Sequence, residues 1–134
     1  MDKKTRILIE VRLERAQEDI QTANELLNLR RYRAAVNRAY YAIFGVTSAL
    51  LLTQKIERSK HSGVESAFIH HFIKTGIFET KYGRIFDYIR KKREESDYSS
   101  KITIDKEIAK KVVGDAEKFI TRITKYLKAQ LKER

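Results

Sequence analysis

The sequence predicts an all-α protein, an antiparallel up-and-down bundle of four or five helices. Three observations carry that prediction. The 134 residues include no proline and only five glycines, so little in the chain interrupts a helix. Tyr32, Val36, Ala39, Ile43, Val46 and Leu50 recur at alternating spacings of four and three, one face of a helix. Ile9, Leu13, Ala16, Ile20, Ala23 and Leu27 repeat the same spacing upstream, a coiled-coil-like seam. A single domain over residues 1–134 is expected, long enough to bury roughly two thirds of its unfolded surface.

The expected helices lie near 3–28, 30–54, 62–75, 80–95 and 104–131. In the first, Glu10, Glu14, Glu18 and Asp19 alternate with Arg12 and Arg15 on the outer face, where i,i+4 pairs form. The polar break at Asn28 to Arg31 is short, which makes the first two helices antiparallel neighbours. The second is the central helix. Ala35, Ala42, Ala49 and Leu52, with Tyr41 and Phe44, extend its apolar surface nearly all round, so other helices must cover it on at least two sides. Gly45 within it points to close approach of a neighbour.

After the polar stretch Gln54 to His61, Ser62 and Glu65 have the spacing of a capping box. Val64, Ala67, Phe68 and Phe72 then give a short amphipathic helix, which Gly76 ends. Tyr82, Ile85, Phe86 and Ile89 form the stripe of the fourth helix, and Arg93 continues that face one turn further. Ser96 to Lys101 reads as a loop. Thr103 is the expected N-cap of the last helix, with Asp105 and Glu107 in its first turn. Its core face carries Ile104, Ile108, Val112, Ala116, Phe119, Ile123 and Tyr126.

Cysteine is absent, so disulfides, thiolate metal sites and cysteine nucleophiles are excluded. No metal site or cofactor is expected: His70 and His71 are adjacent on a helix and point about 100° apart. His61 reads as a loop or capping residue. Neither a signal peptide nor a bilayer span is read from the chain, because Arg33, Asn37 and Arg38 interrupt the longest apolar run. A cytoplasmic protein that makes no membrane contact is expected.

The net charge is +11. Arg30, Arg31, Arg33 and Arg38 form one basic group, and Arg90, Lys91, Lys92 and Arg93 another. Such runs suit a polyanion such as RNA. A solvated surface of the kind thermophile proteins carry gives the same composition.

The candidate site is built on Arg93, Asp97 and Tyr98. An arginine held at i,i+4 by a carboxylate, beside a phenol, presents a planar fork of donors to phosphate. A surface ion pair at a helix end is the plainer reading. Asn37 and Arg38 are polar residues within the apolar central helix; they either face solvent or a dimer partner, or complete a polar cluster with Asp97 or Tyr98. Tyr40 and Tyr41 are expected in the core or an interface.

RAAVNRAYYAIF, then KHSGVESAFIHHFIKTG, then Arg93 to Tyr98 and a long amphipathic final helix together resemble the HEPN family, over about Arg12 to Leu127. The nearest likeness is to the small stand-alone archaeal and bacterial branch, often encoded beside a minimal nucleotidyltransferase. The resemblance implies an antiparallel helical bundle that commonly dimerises. Many members are metal-independent RNases and several are toxins of toxin–antitoxin pairs, with a signature arginine followed after four to six residues by a histidine. Here Arg93 matches the arginine and Tyr98 stands in the histidine's place. A phenol is a poor general base at neutral pH. What the resemblance carries over is Arg93 as a phosphate-contacting residue, with Asp97 and Tyr98 its neighbours.

Three functions follow as expectations. The first is a homodimeric interaction module that binds a minimal nucleotidyltransferase and RNA or a nucleotide. The second is a metal-independent RNase toxin using Arg93, with Tyr98 as the other catalytic candidate. The third is a non-catalytic scaffold. The missing histidine favours the first over the second.

Overall fold

The structure, a computed structural model, describes residues 1–98 and 101–132, the side chain of Tyr98 excepted. Five helices follow one another: α1 Lys3–Asn28, α2 Tyr32–Leu52, α3 His61–Phe68, α4 Thr80–Tyr98 and α5 Lys106–Lys132. A π-helical turn, Ile69–Ile73, continues α3. No strand occurs among the described residues, as the all-α reading requires.

The four–three seams become the core. Ile9, Leu13, Ala16, Ile20 and Ala23 are buried on α1, and Val36, Ala39, Ile43, Val46 and Leu50 on α2. α2 is the central helix and packs against α1, α3, α4 and α5. Its other apolar residues are covered too, including Ala35, Ala42 and Ala49. The bundle thus covers most of the apolar surface of α2 itself, and of the tyrosine pair Tyr40 is buried while Tyr41 is 39% exposed.

By length and composition α2 is long and apolar enough to cross a membrane, contrary to the expectation that no segment is. The interruptions by Arg33 and Asn37 fall in its first two turns and leave a long run after them. Of that stretch, 67% is buried inside the bundle, which marks a core helix.

α1 and α2 end alike. Arg31 N–H donates to Leu26 O and Arg30 N–H to Leu27 O, the paired bonds of a Schellman motif. Ile56 and Lys55 repeat the pattern on Leu51 and Leu52. Arg30 and Lys55 therefore hold φ of 62° and 59°, a conformation glycine adopts more readily. Gly76, at φ 81°, follows the π turn as the sequence implied.

Two predicted caps are corrected. α3 begins at His61 behind an extended Lys60, and no side chain caps it. Ser62 lies inside the helix, and Glu65 is drawn to Arg90 of α4 instead of back to the α3 N-terminus. α5 begins at Lys106: Asp105, not Thr103, accepts the Ile108 N–H at 2.9 Å. α4 also runs to Tyr98, so Ser96 and Asp97 are helical, not loop.

At one end of the core Phe68, Phe86 and Phe119 meet with centroids 5.4–6.0 Å apart. These rings lock α3, α4 and α5 together. Nearer the start of α3, Glu65 bonds to Arg90 and ties that helix to the second half of α4.

Candidate functional site

One stripe of α2, Arg33, Asn37, Tyr40, Tyr41 and Phe44, has the i, i+3/i+4, i+7 spacing of a single helix face. Arg33 donates to Ser96 O at 2.7 Å and Ile102 O at 2.5 Å, so this face meets the end of α4 and the segment after it. One turn along, the carbonyl oxygen of Asn37 is buried with no hydrogen-bond partner among the described residues. Next come Tyr40 and Tyr41, over whose rings the Arg93 guanidinium lies at 5.2 and 5.9 Å. Such contacts favour the planar, weakly hydrated guanidinium.

Arg93 Nε also stands 3.2 Å from Asp97 Oδ2. The predicted i,i+4 pair is therefore formed. The Arg93 side chain is 18% exposed, at the rim of the core, where the stripe argument placed it. The side chain of Tyr98, the third expected member, lies outside the described residues. Asn37 sits on the α2 face that meets α4. Arg38, about 100° further round, does not join it: its guanidinium turns to Asp19 of α1 at 3.4 Å.

The residue missed in the sequence is His61. The α3 N-terminus delivers it to the Tyr40 hydroxyl, with O–H and Nδ1 3.0 Å apart. Its ring is tilted against Phe44, with centroids 4.3 Å apart, and lies edge-on to Tyr41 at 6.0 Å. Tyr40, His61, Ser62, Glu65, Arg90 and Arg93 line one hollow of about 420 Å³. An arginine and a histidine thus share a site although no suitable linear spacing joins them.

Burial lowers the His61 pKa below its ordinary 6.5, and the Arg93 charge lowers it further. The imidazole is therefore neutral at physiological pH. Burial pushes Tyr40 up to about 12, against the pull of Arg93. The phenol keeps its proton and can donate it to Nδ1. With the phenol as the donor, Nε2 carries the ring hydrogen and is itself a donor suited to an oxyanion.

Arg90 is held differently. Its Nε donates to Glu65 at 2.6 Å, and its other nitrogens to Asp87 at 2.6 Å and Glu94 at 2.9 Å. Burial opposes its charge, but hydrogen bonds to Glu94 and Glu65 outweigh that and raise its pKa. Glu65 moves up as well. It is more buried than Arg90 and has this single guanidinium, whereas Arg90 has three carboxylates. The basic run expected to draw in phosphate is neutralised at close range: Lys91 pairs with Asp87 and Lys92 with Glu95. No group of His, Asp and Glu that could hold a metal occurs among the described residues.

The HEPN domain pattern matches residues 9–128. The chain belongs to the HEPN family. A protein of Methanocaldococcus jannaschii named as a putative toxin is 38% identical over 128 residues, covering 96% of this chain and 95% of that protein. A UPF0332 protein of Thermotoga maritima is 38% identical over 127 residues, covering 95% and 96%. A second M. jannaschii protein with the same toxin description is 35% identical, covering 89% of this chain and 81% of its own length. The HEPN match takes in most of α1, nearly all of α5 and the whole of α2, α3 and α4, whose residues line the hollow.

Proposed function

We propose that this HEPN protein is a toxin-like module that binds RNA or a nucleotide by a phosphate seated in the hollow between α2, α3 and α4. The observation that carries the reading is the convergence of Arg93 and His61 on Tyr40. Asp97 and the two tyrosine rings orient the guanidinium, and the Tyr40–His61 hydrogen bond turns the imidazole into a donor. Both groups then offer N–H to the same anion. The toxin description of two relatives supports a role in such a system.

A homodimer with a minimal nucleotidyltransferase as its partner, in the cytoplasm, completes the proposal. With most of α2 covered, the large apolar side chains left exposed among the described residues are Tyr41 on this site, Met1, Ile7, Leu8 and Val11 at the start of α1, Leu29 just after it and Ile102 ahead of α5. Light scattering that gives a monomer mass across the micromolar range would remove the dimer from the proposal.

The test of the site is equilibrium binding of single-stranded RNA. Arg93→Ala should weaken binding about tenfold or more, the loss of one charge-assisted contact. Lys128→Ala, on the far end of α5, should change it less than about twofold. Equal losses would mean diffuse charge in place of a site.

A metal-independent RNase is the second reading, and the specific observation for it is a neutral His61 beside Arg93. With Nδ1 engaged by Tyr40, the imidazole has no free lone pair to take a proton, which favours binding over cleavage. Metal-independent cleavage by the wild type that His61→Ala abolishes would reverse that preference.

A further inference from the structure

Phe44 has a second neighbour besides His61. On its other side α1, α2 and the α2–α3 connection enclose a separate hollow of about 330 Å³. Its floor is apolar: Ala16, Phe44, Gly45, Leu51 and Val64. Two exposed arginines, Arg15 and Arg58, stand in its wall. The acids there are already engaged, Asp19 with Arg38 and Glu57 with Arg12. Among the described residues neither Arg15 nor Arg58 forms an ion pair; Arg58 donates to the Glu57 carbonyl alone. The Arg58 stem is braced against α3, since a Cβ added at Gly63 would meet it at 3.4 Å.

We infer that this hollow is a second nucleotide subsite, taking a base on its apolar floor and one phosphate between Arg15 and Arg58. The inference rests on the phosphate-binding reading of the Arg93 hollow and specifies its ligand as a single strand of at least two nucleotides. Phe44 lines this hollow and His61 the other, with ring centroids 4.3 Å apart, so adjacent nucleotides can occupy the two. Tyr41, partly exposed and edge-on to His61, lies beside these rings as a surface on which a base can stack. A base seated on that floor has to be unpaired, as in a single strand.

The experiment measures binding of 2′-O-methyl oligouridylates carrying a 5′-phosphate, of one, two and four nucleotides, which cannot be cleaved through the 2′-oxygen. The wild type should gain affinity with length. The double variant Arg15→Ala/Arg58→Ala should lose about tenfold on the tetranucleotide while holding the mononucleotide within about twofold. Its salt slope for the tetranucleotide should fall by about 0.7, one phosphate's worth on a single strand. Both side chains are exposed, and circular dichroism checks that the helices are intact. Wild-type affinities at every length in the double variant, with Arg93→Ala weakening all of them, would overturn the subsite and leave the Arg93 reading standing. Equal losses at all lengths would also overturn the subsite, in favour of diffuse charge. Wild-type affinities at every length in Arg93→Ala would overturn the underlying reading itself.

Discussion

Replacing Arg90 by alanine tests how the α3–α4 side of the hollow is held. Arg90 binds Glu65 across the helix interface and Asp87 and Glu94 along its own helix. The interhelical bond is the costly one. The Glu65 side chain is 15% exposed, so its carboxylate would lose a partner that little water can replace. A hydrogen bond to a charged group contributes about 1.5–3 kcal/mol. The lower part of that range applies, because Arg90 is itself 28% exposed and screened by water. The two intrahelical pairs add about 0.3 kcal/mol each. Arg90→Ala should therefore destabilise the fold by about 2 kcal/mol at pH 7, lowering Tm by about 6–8 °C.

The deficit should depend on pH with a definite sign. Burial raises the Glu65 pKa above 4.5, and Arg90 holds the rise in check. An acid whose folded pKa is raised favours folding below its unfolded value, and that contribution is lost as pH climbs through the folded value. Without Arg90 the rise is larger, so the deficit against wild type should grow between about pH 4 and 7. Glu65→Gln in the Arg90→Ala background removes the stranded charge and should recover about half the loss. Urea unfolding followed by circular dichroism measures all of this. A deficit equal at both pH values, or no recovery with Glu65→Gln, would refute the reasoning.

His61→Gln should flatten the stability profile on the acid side. Its lowered pKa means that wild-type stability is complete above 6.5 and falls as pH drops through the lower folded value; unfolding at about pH 5 and 7 gives the comparison. The corrected caps separate cleanly: Asp105→Ala should cost about 1 kcal/mol and Ser62→Ala no more than a few tenths, measured by the same urea titration.

The helices were legible because their signal is local and redundant. α1 occupies Lys3–Asn28 as expected, since five seam positions agree on one face and no breaker intervenes. Their ends were less so. Ser62 and Glu65 fit a capping box, but the guanidinium that captures Glu65 lies 25 residues away on another helix. Asp105 outcompetes Thr103, and Ile104 between them is buried in the core ahead of the helix. The acids that pair with Arg90, Lys91 and Lys92 were overlooked for a similar reason. Between Asp87 and Asp97 four cations face four acids at helical spacings, and a count of like charges in a row does not see them.

Half the candidate site was readable and half was not. Arg93 and Asp97 share a helix, so a spacing of four suffices to pair them. His61 belongs to a different helix, and a search for a histidine a few residues after an arginine cannot reach it. The sequence did hold one clue: Tyr40, Tyr41 and Phe44 crowd the α2 face that also carries Asn37, and so dense an aromatic patch needs a partner with a polar edge. The consequence is mechanical. Because the arginine comes from α4 and the histidine from α3, their separation is set by the packing of those helices, through Glu65–Arg90 and the Phe68–Phe86 contact. A linear arginine–histidine motif fixes its geometry within one helix. Here the same two chemistries meet only if the bundle is folded, so a change that loosens α3 from α4 should reduce phosphate binding without touching either residue.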